Sequence, residues 1–202
     1  MITIVNTQHK HIPQLVQHQQ TCFPDLFSDV WMTPEAFESQ LRVFPAGQHV
    51  ALHNGQVVGQ SSSFRCRYEQ VFLPHDYHGI TAANMFTNHD PVGEWLYGAD
   101  MSIHPEYRGR GIAHMLMEAR KGLIRQLGLR GMVAGGALPG YADYEARLRP
   151  EDYVAEVVAG RLVDPTLTPQ LRIGWQVRGV LPNYTHDSAG HGAPASWLVW
   201  EA

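Results

Sequence analysis

The residues best equipped for chemistry lie together between Trp95 and Leu116, in "WLYGADMSIHPEYRGRGIAHML". An apolar run carries one carboxylate, Asp100, and is preceded by another, Glu94. Arg108, Gly109, Arg110 and Gly111 come next, and a stretch with helical spacing follows them directly. The first N–H groups of a helix have no partner inside it, and the helix dipole adds partial positive charge there. A phosphate is stabilised at such a place. Gly109 and Gly111 allow a pyrophosphate to come close to the backbone, and Arg108 and Arg110 can add charge-assisted hydrogen bonds. The carboxylates are of a residue type able to act as a general base.

Three phosphate patterns compete for this stretch. A P-loop needs G-x-x-x-x-G-K-[ST], and neither Gly-Lys-Ser nor Gly-Lys-Thr occurs in the chain. A dinucleotide fold needs G-x-G-x-x-G, but His114 stands at the third glycine, and the next strand ends in Gly135-Gly136 where an acidic residue for the ribose is due. The pattern [Q/R]-x-x-G-x-[G/A] is met throughout by Arg108-Gly109-Arg110-Gly111-Ile112-Ala113. That is the acyl-CoA pyrophosphate loop of the GNAT superfamily of N-acyltransferases, and "MSIHPEYRGRGIAHML" resembles that superfamily's central strand, loop and helix. In addition, "RGMVAGGALPGY", "PEDYVAEVVAGRLVDPTLTPQL" and "VRGVLPNY" are similar to the GNAT domain that some bacteria fuse to a nitrilase-type carbon–nitrogen hydrolase. The chain reads as a stand-alone relative of that domain.

The resemblance implies an α/β fold of GNAT type, with a mixed central sheet flanked by helices and splayed beside the motif strand. Residues 1–202 form a single domain on this reading. Acetyl-CoA is the implied co-substrate. Its pantetheine arm pairs with Met101, Ser102 and Ile103, and its pyrophosphate meets Arg108, Gly109, Arg110, Gly111, Ile112 and Ala113. The acceptor is a primary amine on a small molecule or peptide, entering from the other side under residues 68–94 and attacking the thioester directly. Asp100 and Glu94 are the expected bases, and a strand N–H stabilises the oxyanion. The superfamily's usual tyrosine acid falls at Gln170 here, which leaves Tyr141, with Tyr144 and Tyr184 beside it, as substitutes. A thiolate is also a good leaving group and needs no acid. The alternative reading is a catalytically weak acyl-CoA sensor, or a partner subunit for a carbon–nitrogen hydrolase.

Elements must hold these residues in place. "ITIV" reads as a first strand, "IPQLVQHQQTCF" as a helix, and "TPEAFESQLRVF" as a second helix with Thr33 as N-cap and Pro34 at the first position. Asn54-Gly55 between "HVALH" and "QVVGQSSSF" signals a hairpin. Residues 68–94 read as a long irregular segment, and "WLYGADMSI" as the strand before the loop. The next helix runs to about Leu127, with Ile112, Met115, Leu116, Ala119, Leu123 and Leu127 on its apolar face and Gly128 as its stop. "LRGMVAGG", the helix "PEDYVAEVVAG", and the strands "WQVRGVL" and "SWLVWE" complete a β-α-α-β-β-β-α-β-α-β-β order.

Composition narrows the class. A hydrophobic fraction of 44% and a charged fraction of 17% describe a globular chain. The net charge of −4 lacks the basic excess of a nucleic-acid binder. No apolar run nears the ~20 residues of a membrane span, and "MITIVNTQHK" lacks the features of a signal peptide, so a cytoplasmic home is expected. Cys22 and Cys66 lack C-x-x-C spacing and show no Cys-His pairing in sequence, which favours transfer without a covalent intermediate. The histidines form no H-E-x-x-H or Cys/His cluster, and no metal is expected. His75 and His78 read as loop residues, and His89-Asp90 as a candidate lining of the acceptor side. A homodimer is kept among the expectations.

Overall fold

The computed structural model describes residues 1–24, 31–186 and 192–202. Seven strands form one sheet in the order β1-β2-β3-β4-β5-β7-β6. The strands are β1 (Ile2–Asn6), β2 (His49–His53), β3 (Gln56–Cys66), β4 (Trp95–Ile103), β5 (Gly131–Ala137), β6 (Gln176–His186) and β7 (Gly192–Glu201). The β4–β5 pair is parallel and the other five pairs are antiparallel. This is the mixed sheet the element order predicted.

Local signals account for the ends of the elements. Helix α2 (Pro34–Val43) is capped by Thr33, whose hydroxyl accepts from the Ala36 N–H at 3.3 Å. Asn54 and Gly55 turn the β2–β3 hairpin, both with positive φ, as a type I′ turn requires. Helix α5 (Ile112–Leu127) stops at Gly128 in the left-handed conformation.

Helices cover both faces. On one, α1 (Ile12–Cys22) and α2 bury Ile12, Leu15, Phe37 and Leu41 against Val50 and Val57. On the other, α5 buries Ile112 and Leu116 against Ala51 and Val58. The buried face of α5 differs from the one read in sequence. Met117, Arg120 and Ile124 are buried with Ile112, Leu116 and Leu123, while Met115 and Ala119 are only partly covered. A buried arginine among them was not anticipated.

Residues 68–94 are more ordered than their composition suggested. They hold two single-turn helices, α3 (Tyr68–Val71) and α4 (Tyr77–Ile80), and a turn with positive φ at Ala82, Ala83, Asn84 and Phe86. Val71, Ile80 and Phe86 are buried on the sheet with Phe64 and Tyr97. Helix α6 (Pro150–Val158) was foreseen, but α7 (Leu167–Arg172) was not. Its Pro169 reads as a breaker, yet the helix is held from its N-terminal side, where Asp164 Oδ1 accepts from the N–H groups of Thr166 and Leu167 at 2.8 and 2.7 Å.

Candidate functional site

The sheet opens beside β4. Strands β4 and β5 pair over only three steps, from Trp95 with Gly131 to Tyr97 with Val133. Beyond that, Gly98–Ile103 stays on β3 and Ala134–Ala137 on β7, and the two strands no longer pair with each other. The gap exposes backbone donors and acceptors of both strands. Such an edge accepts another extended chain.

The glycine-arginine turn stands at the C-terminal end of β4. A short 3-10 turn (Pro105–Tyr107) leads into it, and Gly109 and Gly111 have φ of +74° and +77°. A side chain at either place would be strained. A Cβ there would meet nothing within 4 Å, so the turn has open space in front of it. Helix α5 starts at Gly111 with no side-chain cap. Among the described residues, the N–H groups of Gly109 to Ala113 donate to no protein oxygen. Free amides, the positive end of a 16-residue helix and two exposed guanidiniums form an anion cradle. The arginines are braced: Arg108 Nε donates to the Ile103 carbonyl at 3.3 Å, Arg110 Nη2 donates to the Glu106 carbonyl at 3.0 Å, and Arg110 lies 4.8 Å over the Tyr107 ring. The gap suits an extended chain and the turn suits an anion.

Asp100 marks the middle of the opening. A β-bulge makes Ala99 an extra residue between the pairs Ser63–Gly98 and Ser62–Asp100. The Asp100 carboxylate accepts from the Gln19 amide at 3.1 Å and from the Gln60 amide. Burial pushes its pKa above the usual carboxylate range, and Gln19, the Arg120 charge, the Met101 N–H and Gln60 pull it back. From the opposite face, Arg120 Nη2 donates to the Ser62 carbonyl at 2.8 Å and to the Asp100 carbonyl. Arg120 is 2% exposed, and burial lowers its pKa to about 10 against the pull of Asp100. A buried cation thus ties both strands at the bulge. Gly98 is part of this fit, since a Cβ there would lie 3.0 Å from Arg120 Nη1.

Beyond Asp100, on the side covered by residues 68–94, lies a chain of ring hydroxyls. Tyr97 Oη is 2.9 Å from Tyr184 Oη and 3.0 Å from His75 Nε2. The Tyr184 ring lies against β5 where it has parted from β4. A Cβ on Gly135 would sit 2.2 Å from Tyr184 Cζ, so only glycine leaves room for that ring. Tyr77 packs 5.8 Å from Tyr184 and donates to Asn84 Oδ1 at 2.7 Å. Burial raises the pKa of Tyr77, Tyr97 and Tyr184, and the nearby Asp100 charge adds to the rise at Tyr77 and Tyr184.

The other expected residues are not all brought here. Glu94 lies before the start of β4, six residues or about 20 Å of strand from Asp100. It is exposed and pairs with Arg130 at 3.3 Å. Tyr141 donates its hydroxyl to the Leu148 carbonyl at 2.9 Å and packs 5.4 Å from Tyr153, and Tyr144 packs on the same ring. Of the substitute tyrosines, Tyr184 is the one beside the opening. Gln170 fills the space over Gly136, with its buried Oε1 unpartnered among the described residues. His89 is structural: its Nδ1 accepts from the Arg65 N–H at 3.1 Å and its ring stacks 4.6 Å from Phe44. Asp90 pairs with Arg67.

Space does supply a Cys-His pair that the sequence reading did not see. His18 and Cys22, one turn apart on α1, meet with Sγ 3.4 Å from Nε2, and Ser102 Oγ lies 3.1 Å from the same nitrogen. The i, i+4 spacing was the available signal. Burial lowers His18 to about 4 and raises Cys22 to about 11. With the acid so much weaker than the base is able to deprotonate, the pair stays neutral at pH 7, and the thiol is a packed group rather than a nucleophile.

Known proteins are similar to this chain in sequence and fold. The acetyltransferase (GNAT) family profile matches residues 12–139. The chain is 33% identical over 199 residues to the protein named probable hydrolase YhcX of Bacillus subtilis (strain 168), covering 98% of this chain and 38% of that one. It therefore spans well under half of that relative's length. It is 31% identical over 199 residues to the protein named uncharacterized N-acetyltransferase YkwB of the same organism, covering 97% of this chain and 88% of that one. The solved GphF GNAT-like decarboxylase in complex with isobutyryl-CoA superposes with a TM-score of 0.78 at 19% identity, over 98% of each chain, a likeness of fold. Among the described residues no helix is long and apolar enough to cross a membrane. The chain belongs to the acetyltransferase (GNAT) family.

Proposed function

We propose that residues 1–202 act as one domain that moves an acetyl group from acetyl-CoA to a primary amine on a small molecule or peptide. The observation that carries this reading is the pairing of an uncapped, glycine-opened helix start with a sheet that parts beside it. The pyrophosphate is assigned to the N–H groups of Gly109 to Ala113 with Arg108 and Arg110, and the pantetheine arm to Met101, Ser102 and Ile103. The isobutyryl-CoA in the GphF structure supports an acyl-CoA as the ligand class.

Asp100 meets the acceptor on the covered side. Its carboxylate is the counter-charge for an ammonium, and its raised pKa brings it closer to the pH at which a base works efficiently. Glu94 and Tyr141 have no part in this reading. The acceptor amine attacks the thioester carbonyl, a β4 N–H at the bulge stabilises the oxyanion, and the thiolate departs. The test is CoA release from acetyl-CoA with a panel of primary amines. The expected result is turnover in the wild type, and in Asp100→Asn a fall in kcat of about a hundredfold or more with acetyl-CoA affinity unchanged. Full activity in Asp100→Asn would remove Asp100 from the mechanism.

A further inference from the structure

Deprotonating the acceptor beside the buried ring hydroxyls leaves a proton there that must reach water before the next turnover. Resting on the acyl-transfer reading, the geometry points to a built exit for it: Tyr184, Tyr97 and His75 form a directed relay that draws the acceptor's proton outward to the imidazole of His75.

The direction of the relay follows from who can donate. His75 Nδ1 lies 2.8 Å from the Leu73 carbonyl oxygen. A carbonyl only accepts, so Nδ1 carries the hydrogen and the neutral ring presents a lone pair at Nε2. Tyr97 Oη is 3.0 Å from that lone pair and gives its one proton to it. Tyr97 Oη is also 2.9 Å from Tyr184 Oη, and with its own proton committed it can only accept there. The Tyr184 proton is therefore held by Tyr97, and Tyr184 Oη, which also accepts from the Gly135 N–H, keeps a lone pair that can take a further proton. A chain with this polarity is poised to receive a proton at Tyr184. It is set the wrong way round for Tyr184 to hand a proton to a departing thiolate.

The groups around His75 suit a terminal base. The Tyr97, Tyr184 and Trp197 rings from β4, β6 and β7 lie 5.5, 6.2 and 6.0 Å from its ring. Arg178 lies on the Trp197 ring at 5.7 Å, Asp76 adjoins His75 in the chain, and Tyr77 lies beside Tyr184. Burial lowers the His75 pKa, while the Leu73 carbonyl and the Asp76 charge act the other way. The net shift is downward, so the ring is neutral and ready to accept at pH 7. His75 is itself partly exposed, and Leu73 beside it is 60% exposed.

The transfer balances. An N–H bond of the ammonium breaks and its electron pair stays on nitrogen. The proton passes to Tyr184 Oη, the Tyr184 proton moves to Tyr97 Oη, and the Tyr97 proton moves to His75 Nε2. The imidazolium then loses that proton to water. The second N–H proton, made acidic once the nitrogen bonds to the carbonyl carbon, leaves as the C–S bond breaks and is taken up by the departing thiolate. Nothing is oxidised or reduced, and the sum is ammonium plus thioester giving amide, thiol and one proton released to water.

Two readouts test the relay. The first is imidazole 15N NMR at pH 7.5, which needs no substrate. His75 should appear as the Nδ1–H tautomer, and its Nε2 signal should shift in Tyr97→Phe. The Nε2–H tautomer would overturn the relay. The second is the pH profile of kcat/KM with the best amine. In the wild type it should fall as pH drops through the His75 pKa, below 6.5. His75→Gln should lose that limb and run about tenfold slower, with Tyr97→Phe matching it and both variants folded as the wild type is. A His75→Gln profile superimposable on the wild type would overturn the relay while leaving acyl transfer standing. Absence of turnover in the wild type with every amine would instead overturn the transfer reading, and the relay as a catalytic device with it.

Discussion

At the glycine-arginine turn the bonds stay close in sequence. Arg110 reaches Glu106 and Arg108 reaches Ile103, four and five residues away. The opposite is true of the buried polar groups around Asp100. Gln19 reaches Asp100 across 81 residues, Tyr97 reaches Tyr184 across 87, and Arg120 bonds Ser62 across 58. The first region is an open backbone shape, set by two positive-φ glycines with nothing against them. The second is a set of buried polar groups that exist as a site only once the sheet has formed. A region of the first kind can be read from ten consecutive letters and altered at small cost to the fold. A region of the second kind is invisible to local reading and is tied into the stability of the whole.

That contrast can be broken by substitution. The largest effect on stability is expected for Arg120→Met, which leaves the Ser62 and Asp100 carbonyls buried without their donor and should cost about 3 kcal/mol. Urea unfolding would measure it, and a loss under 1 kcal/mol would show that the bulge does not depend on the cation. Acid should act on the same buried side. Burial lowers His18 and His49 to about 4 from 6.5, so the unfolded chain binds their protons more readily. Their contribution is complete above pH 6.5 and is lost as pH falls toward 4, by ~3 kcal/mol each. Thermal midpoints across that range should fall steeply in the wild type and less steeply in His18→Gln.

The turn should respond more weakly. Gly109→Ala places a side chain at φ +74° with no clash, so the cost is backbone strain alone, about 1 kcal/mol in urea unfolding. A cost equal to that of Arg120→Met would erase the distinction between the regions. Smallest of all is Glu94→Gln. An exposed pair at 3.3 Å contributes under about 0.5 kcal/mol, and neither unfolding nor turnover should register the change. A catalytic defect in that variant would restore Glu94 to the site from which its position removes it.

The sequence carried the fold because its punctuation is strong. Thr33-Pro34, Asn54-Gly55 and Gly128 each fix an element end by local geometry. Helix α7 escaped because Asp164, outside the segment, supplies its cap, and Pro169 argues against a helix on local grounds. The glycine-arginine turn was legible because its chemistry is main-chain N–H groups at one place. The buried polar region was legible only at Asp100, which lies on the motif strand itself. Glu94 was misplaced because closeness in sequence along a strand is distance in space. Tyr184 could not be ranked above Tyr141, since only the close fit of its ring on Gly135 places it at the opening. Arg120 was readable in principle, as a charged residue four places from Leu116 and three from Met117 on the buried face of α5.

The most direct test of the account is calorimetric titration of acetyl-CoA into the wild type and Gly111→Glu, with circular dichroism confirming that both are folded. The account predicts one site per chain in the wild type. It predicts at least a hundredfold weaker binding in the variant, because a carboxylate at φ +77° would occupy and repel the place prepared for the pyrophosphate. No binding to the wild type, or equal binding to both proteins, would contradict it.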